Sequence, residues 1–208
     1  AIVGTVSGTN ISFGSAAVFE SADTRYISAT YDANAQKVVI AYSDDTNSEH
    51  GTAIVGTVSG TSISFGSAVV FESADTNYVS ATYDSSAQKI VIAYNDGGNS
   101  EHGTAIVGTV SGTSISFGSA VVFESASANH TSVIYDSNAQ KVVVAYQDNG
   151  NSGHGTAIVG TVSGTSISFG TAVVFESANS DDVFITYDAN AQKVVIAYSD
   201  GGNSEHGT

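Results

Sequence analysis

The chain has 208 residues, 41% hydrophobic and 12% charged, which is enough apolar content for a core and too little charge for a solvated disordered polymer. It contains no Cys, Met, Trp or Pro, which excludes disulfide staples, cysteine zinc sites and thiol nucleophiles. Twenty acidic residues against five basic ones give a formal charge of −15, which repels nucleic-acid phosphates and anionic lipid surfaces, so no nucleic-acid partner is expected.

The first predicted element is a strand from Ala1 to Ser7, where Ile2, Val3 and Val6 are β-formers. It ends in a tight turn at Gly8-Thr9, with glycine supplying the positive φ of a two-residue hairpin. A second strand runs from Ile11 to Glu20, with Ile11 and Phe13 alternating and Gly14 at the place of a bulge. The polar segment Ser21 to Thr24 leads to a third strand, Tyr26 to Tyr31. The loop Asp32 to Gln36 then leads to a fourth, Lys37 to Tyr42, whose run Val38-Val39-Ile40-Ala41 reads as buried on both faces. No segment has a helical period, and none approaches the roughly 18 apolar residues that span a bilayer, so no membrane insertion is expected.

The same order then starts again. The tract Gly-Thr-Ala-Ile-Val-Gly-Thr-Val-Ser-Gly-Thr stands unchanged at Gly51, Gly103 and Gly155, a period of 52 residues without slippage. Ala1 to Thr9 is that tract without its first two residues, so one repeat domain divides into units 1–52, 53–104, 105–156 and 157–208. A start at Ala1, inside a strand pattern, points to a processed product or a segment of a longer chain.

Four short antiparallel strands per unit predict an all-β fold, a β-propeller of four 52-residue, four-stranded blades, with a β-solenoid as the alternative. In blade order, Tyr26 to Tyr31 is A, Lys37 to Tyr42 is B, Ala1 to Ser7 is C and Ile11 to Glu20 is D. The chain therefore starts mid-blade, and its ends complete each other. They can do so within one chain, so that the termini share a blade, or between chains, as an eight-bladed dimer or a head-to-tail filament.

An antiparallel meander puts the D-to-A and B-to-C connections on one face. The copies differ most in the D-to-A segment, which carries Arg25 and Tyr26, then Asn77 and Tyr78, Asn129 and His130, and Asp181 and Asp182. Variable polar and aromatic groups on a constant frame are candidate ligand contacts suited to sugars, and drift of an exposed loop is the competing reading.

The B-to-C loops repeat one Asp, one Asn and one His in register: Asp44, Asn47, His50; Asp96, Asn99, His102; Asp148, Asn151, His154; Asp200, Asn203, His206. Such groups suit Ca²⁺ or, through the histidine, a softer metal, but the spacing matches no EF-hand. Asx-turns explain the same residues without a metal. Glu20, Glu72, Glu124 and Glu176 each follow a Phe. A fourfold identical carboxylate lacks the asymmetric roles of catalysis, so no enzyme is expected and these read as polar strand ends.

The stretch from Ala53 to Ser73, Ala-Ile-Val-Gly-Thr-Val-Ser-Gly-Thr-Ser-Ile-Ser-Phe-Gly-Ser-Ala-Val-Val-Phe-Glu-Ser, with Tyr-Asp-Ser-Ser-Ala-Gln-Lys from Tyr83, resembles tandem propeller-type repeats of large phage and bacterial surface proteins. The resemblance covers all four copies and implies a fibre, adhesin or surface-layer role, outside the cell or on a cell or virion surface, with glycan recognition. The expected function is binding and display. Assembly into a fibre or larger particle through the chain ends is the competing class.

Overall fold

The computed structural model describes the whole chain, Ala1 to Thr208. The fold is all-β, without an α-helix, and no helix is long and apolar enough to cross a membrane. The first copy supplies β1 (Gly4–Ser7), β2 (Asn10–Phe13), β3 (Thr24–Asp32) and β4 (Lys37–Asp44). The second supplies β5 (His50–Ser59), β6 (Ser62–Phe65), β7 (Val69–Asp84) and β8 (Lys89–Asp96), and the third β9 (His102–Ser111), β10 (Ser114–Phe117), β11 (Val121–Asp136) and β12 (Lys141–Asp148). The fourth supplies β13 (His154–Ser163), β14 (Ser166–Phe169), β15 (Val173–Asp188) and β16 (Lys193–Asp200), followed by β17 (His206–Gly207).

All pairings are antiparallel. Fifteen strands form one continuous ladder running β3-β4-β5-β7-β8-β9-β11-β12-β13-β15-β16-β17, with β6, β10 and β14 as hairpin partners of β5, β9 and β13. Grouped as A-B-C-D, so that each unit from here on runs from the inner strand of one copy to the D strand of the next (Thr24 to Glu72, for example), the strand order is the predicted one. Two expectations about the strands change. The predicted strand Ile11 to Glu20 is interrupted after Phe13 in the first copy, and its later counterparts break between β6 and β7, β10 and β11, and β14 and β15. The polar D-to-A segment is not a loop in the last three copies but the middle of a 16-residue strand.

Each long strand serves two units. The first half of β11 pairs with β9, Val121 against Ala105, and its second half pairs with β12, Tyr135 against Val142. Polar side chains are accommodated there because bulges turn the strand between its two partners.

Successive units bury their faces on each other. Val39, Ala41, Ala53 and Val55 of one unit pack on Val79, Ile90, Ile92 and Tyr94 of the next, and Val91, Ala93, Ala105 and Val107 pack on the corresponding face of the unit after that. Two polar clasps recur at these joints. The phenols of Tyr42, Tyr94, Tyr146 and Tyr198 donate to the carboxylates of Glu20, Glu72, Glu124 and Glu176 at 3.1–3.4 Å. Ser28, Ser80 and Ser132 accept from the backbone amides of Ala81, Val133 and Ile185 at 3.0–3.2 Å, linking neighbouring inner strands. A third contact is backbone on backbone. A Cβ added to Gly14, Gly66 or Gly118 would lie within 1.9 Å of the carbonyl oxygen of Thr61, Thr113 or Thr165, at the hairpin tip of the next unit.

The inner strands β3, β7, β11 and β15 pack in series, and no comparable packing joins β15 back to β3. The ends form no common sheet: β1 pairs with β2 alone and β17 with β16 alone. The termini therefore share no unit within this chain, because the two end units lie at opposite ends of an open series.

Candidate functional site

At the centre of each inner strand the ladder carries a bulge. Between Asn77 paired with Asn95 and Ser80 paired with Ala93, two residues, Tyr78 and Val79, face the single residue Tyr94. The same irregularity falls between Arg25 and Ser28, Asn129 and Ser132, and Asp181 and Phe184. The first bulge residue is left-handed in every copy: Tyr26 at φ 49°, Tyr78 at 50°, His130 at 49° and Asp182 at 49°. None is glycine, so each holds a conformation that costs a bulky L-residue about 1 kcal/mol or more. In the last three copies the second bulge residue turns inward and anchors the strand, with Val79, Thr131 and Val183 buried, whereas Ile27 in the first copy is exposed.

The bulges bring four separate positions together. Tyr26, Tyr78, His130 and Asp182, with Ser28, Ser80, Ser132 and Phe184 beside them, line one concave pit of about 430 Å³. The rings form a tilted row, with centroids of Tyr26 and Tyr78 at 5.2 Å and of Tyr78 and His130 at 4.9 Å. The row ends in carboxylates: His130 Nε2 lies 3.7 Å from Asp181 Oδ1, and Nδ1 lies 3.7 Å from Asp182 Oδ1. Burial raises the pKa of the Tyr78 phenol, and the neighbouring Tyr26, Glu101, Asp181 and Asp182 raise it further, so the pit keeps this hydroxyl neutral and able to donate.

The eight predicted ligand residues fall into two sets. Tyr26, Tyr78, His130 and Asp182 line the pit. The residues one position earlier do not line the pit and hold the frame. Arg25 pairs with Asp45 at 2.9 Å and Glu49 at 3.4 Å, and Asn77 donates to Asp75 at 3.1 Å. Asn129 accepts from Asn95 at 3.2 Å, and Asp181 accepts from Gln147 at 2.6 Å. The last two pairs link the variable segment to a B-strand position of the preceding unit that reads Ser43, Asn95, Gln147 and Ser199 across the copies. That variation within a near-constant strand was the available signal for the pairing. The serines and Phe184 on the pit floor were missed because they read as ordinary strand positions.

In the B-to-C loops, Asp44, Asp96, Asp148 and Asp200 stand before short 3₁₀ turns. Asp44 accepts from the Asn47 amide at 3.3 Å, Asp148 from Asn151 at 3.1 Å and Asp200 from Gly202 at 2.9 Å. Each histidine pairs across the ladder from its aspartate in the first three loops and again at Asp200 and His206. No three His, Asp or Glu side chains gather as a metal-holding group, and capping accounts for Asp44, Asp148 and Asp200, while Asp96 makes no side-chain cap. Two aspartate oxygens of these loops, Asp45 Oδ1 in the first and Asp96 Oδ1 in the second, are buried without a partner at hydrogen-bond distance, and burial raises the pKa of Asp96. The four Phe-linked glutamates are the phenol acceptors of the inter-unit clasp. Glu124 and Glu176 also cap the backbone amides of Ala126 and Ala178, at 3.1 and 3.0 Å.

Fold and site together define an all-β tandem-repeat protein with a single pit assembled from equivalent positions of its copies. Comparison with known protein families finds no match, and comparison with curated proteins finds none.

Proposed function

We propose that the chain is a non-enzymatic binding and display module, part of a propeller-type array on an extracellular, cell or virion surface, and that its pit takes a hydroxyl-rich ligand such as a glycan. The A-B-C-D order and the side-by-side inner strands support radial units over a solenoid. One observation carries the functional reading. In all four copies the frame holds a non-glycine residue in a left-handed bulge and aims it at one pit, while its identity changes from Tyr to Tyr, His and Asp. A frame that retains this strain four times and varies only the side chain fits a binding surface.

The chemistry of the lining suits a saccharide. Tilted aromatic rings offer faces for C–H groups, while phenol, imidazole and carboxylate exchange hydrogen bonds with hydroxyls. The His130 contacts to Asp181 and Asp182, at 3.7 Å, are longer than hydrogen bonds, and neither places a hydroxyl nucleophile on the imidazole, which supports binding over hydrolysis. The test is a glycan array followed by NMR titration of the best ligand. Shifts confined to Tyr26, Tyr78 and His130, with affinity at least about tenfold weaker in Tyr78→Ala, are expected. A folded chain in which no glycan perturbs these resonances would refute the reading.

A further inference from the structure

We infer that the pit selects for a protonated amine, so that among hydroxyl-rich ligands it takes an amino sugar with a free amine over neutral or acidic ones. This rests on the reading of the pit as a ligand site and adds the ligand's charge to it. Every lysine opens a B strand, and in each copy it stands opposite an aspartate across the A–B ladder: Lys37 with Asp32, Lys89 with Asp84, Lys141 with Asp136 and Lys193 with Asp188. The A-to-B end of every unit is therefore neutral. The whole formal charge of −15 falls toward the opposite end, where Arg25 is the only lysine or arginine and is held by Asp45 at 2.9 Å and Glu49 at 3.4 Å. The repeat builds this segregation into each copy, so it does not depend on how many copies a chain carries.

The pit stands at that acidic end. In each inner strand its bulge begins two residues after a pair with the last aspartate of the B strand: Thr24 with Asp44, Thr76 with Asp96, Ala128 with Asp148 and Ser180 with Asp200. No lysine or arginine lines it. Beside His130 stand the carboxylates of Asp181 and Asp182, each 3.7 Å from an imidazole nitrogen. Their field reaches the middle of the pit: after burial and Tyr26, it is Glu101, Asp181 and Asp182 that raise the pKa of the Tyr78 phenol. A field that disfavours a phenolate favours a cation in the same place and disfavours a carboxylate or sulfate. The rings add an attraction of the same sign. Tyr26 and Tyr78 are tilted at 48°, and Tyr78 and His130 at 42°, so neighbouring rings leave parts of their faces uncovered. The negative face of a phenol ring attracts an ammonium group. An ammonium among these rings and carboxylates gains cation–π contact and charge-assisted hydrogen bonds, both stronger than what a neutral hydroxyl gains there.

The test compares a glucosamine tetramer with the same tetramer fully N-acetylated, which keeps the rings and linkages and loses the charge, by NMR titration under conditions that protonate the amine. A glucuronic acid tetramer supplies an acidic sugar, and n-butylamine supplies the amine without a sugar. The free-amine tetramer is expected to bind at least about tenfold tighter than the acetylated one, with shifts at Tyr78 and His130. Asp182→Asn removes a charge and keeps a residue type that tolerates left-handed backbone. It should weaken the free-amine tetramer about fivefold or more and leave the acetylated one unchanged. Acetylated or glucuronic tetramers that bind the pit as tightly as the free amine overturn the inference and leave the glycan reading standing. An Asp182→Asn chain that weakens both glucosamine tetramers alike does the same. Shifts in the pit with butylamine but with no tetramer support the amine and overturn the glycan reading. A folded chain whose pit resonances respond to none of these probes overturns both.

Discussion

Ile54 and Ile2 occupy the same place in the repeat, yet the first is 4% exposed and the second 51%. The contrast between inner and end units holds for side chains in the C strand, the hairpin and the B strand. What differs is the neighbour, not the sequence. Each unit has two sheet faces and can cover neither alone, so burial is a property of the joint between units. Stability should accordingly concentrate at the joints, and paired substitutions at equivalent positions measure it directly.

The largest difference is expected for the glycine under the hairpin tip. Gly118→Ala drives a Cβ to within 1.9 Å of the Thr165 carbonyl oxygen, and should cost about 3 kcal/mol or more in chemical denaturation. Gly170→Ala should change stability by under about 0.5 kcal/mol. Equal losses would show that the joint is not where this contact acts. Next comes core truncation: Val107→Ala, at a fully buried position, should cost about 2 kcal/mol, and Val159→Ala, 46% exposed, about half that or less.

Alkali should loosen the same joints. Burial, and then the carboxylates of Glu20, Glu72 and Glu124, raise the pKa of the Tyr42, Tyr94 and Tyr146 phenols. The folded chain then keeps protons that the unfolded chain loses above about pH 10. This contribution is complete below that pH and declines as pH rises past it, so the melting temperature should fall from about pH 10 upward. A Tyr94→Phe chain should show a shallower decline; an unchanged slope would remove the phenols from the account. The smallest effect has the opposite sign. Asp182 is a left-handed non-glycine residue with a largely exposed side chain, so Asp182→Gly should stabilise by about 0.5–1 kcal/mol while altering one wall of the pit. Destabilisation would show that the bulge carries no strain.

The repeat, the four strands and their order were legible in the sequence because hydrophobic alternation and Gly-Thr turns report local structure directly. The continuity of β7, β11 and β15 was not, since Ser, Ala, Asp and Asn read as a loop wherever tertiary pairing is ignored. Half of the site followed the same rule. Variation located the D-to-A segment, but two adjacent residues such as Asn77 and Tyr78 look equivalent until the bulge sends one to the frame and the other to the pit. The role of Glu72 was hidden for a related reason: its partner Tyr94 lies 22 residues away in the next unit.

The long strand that leaves one unit and enters the next also bears on how such an array grows. Because β7, β11 and β15 each run unbroken from one unit into the next, a duplication of 52 residues can begin at any phase of the unit and still restore these pairings. Copy number is then open to change by a single recombination event, with no new joint to invent. Each added copy extends the scaffold and brings one further bulge side chain, with its neighbouring frame contacts, for selection to act on.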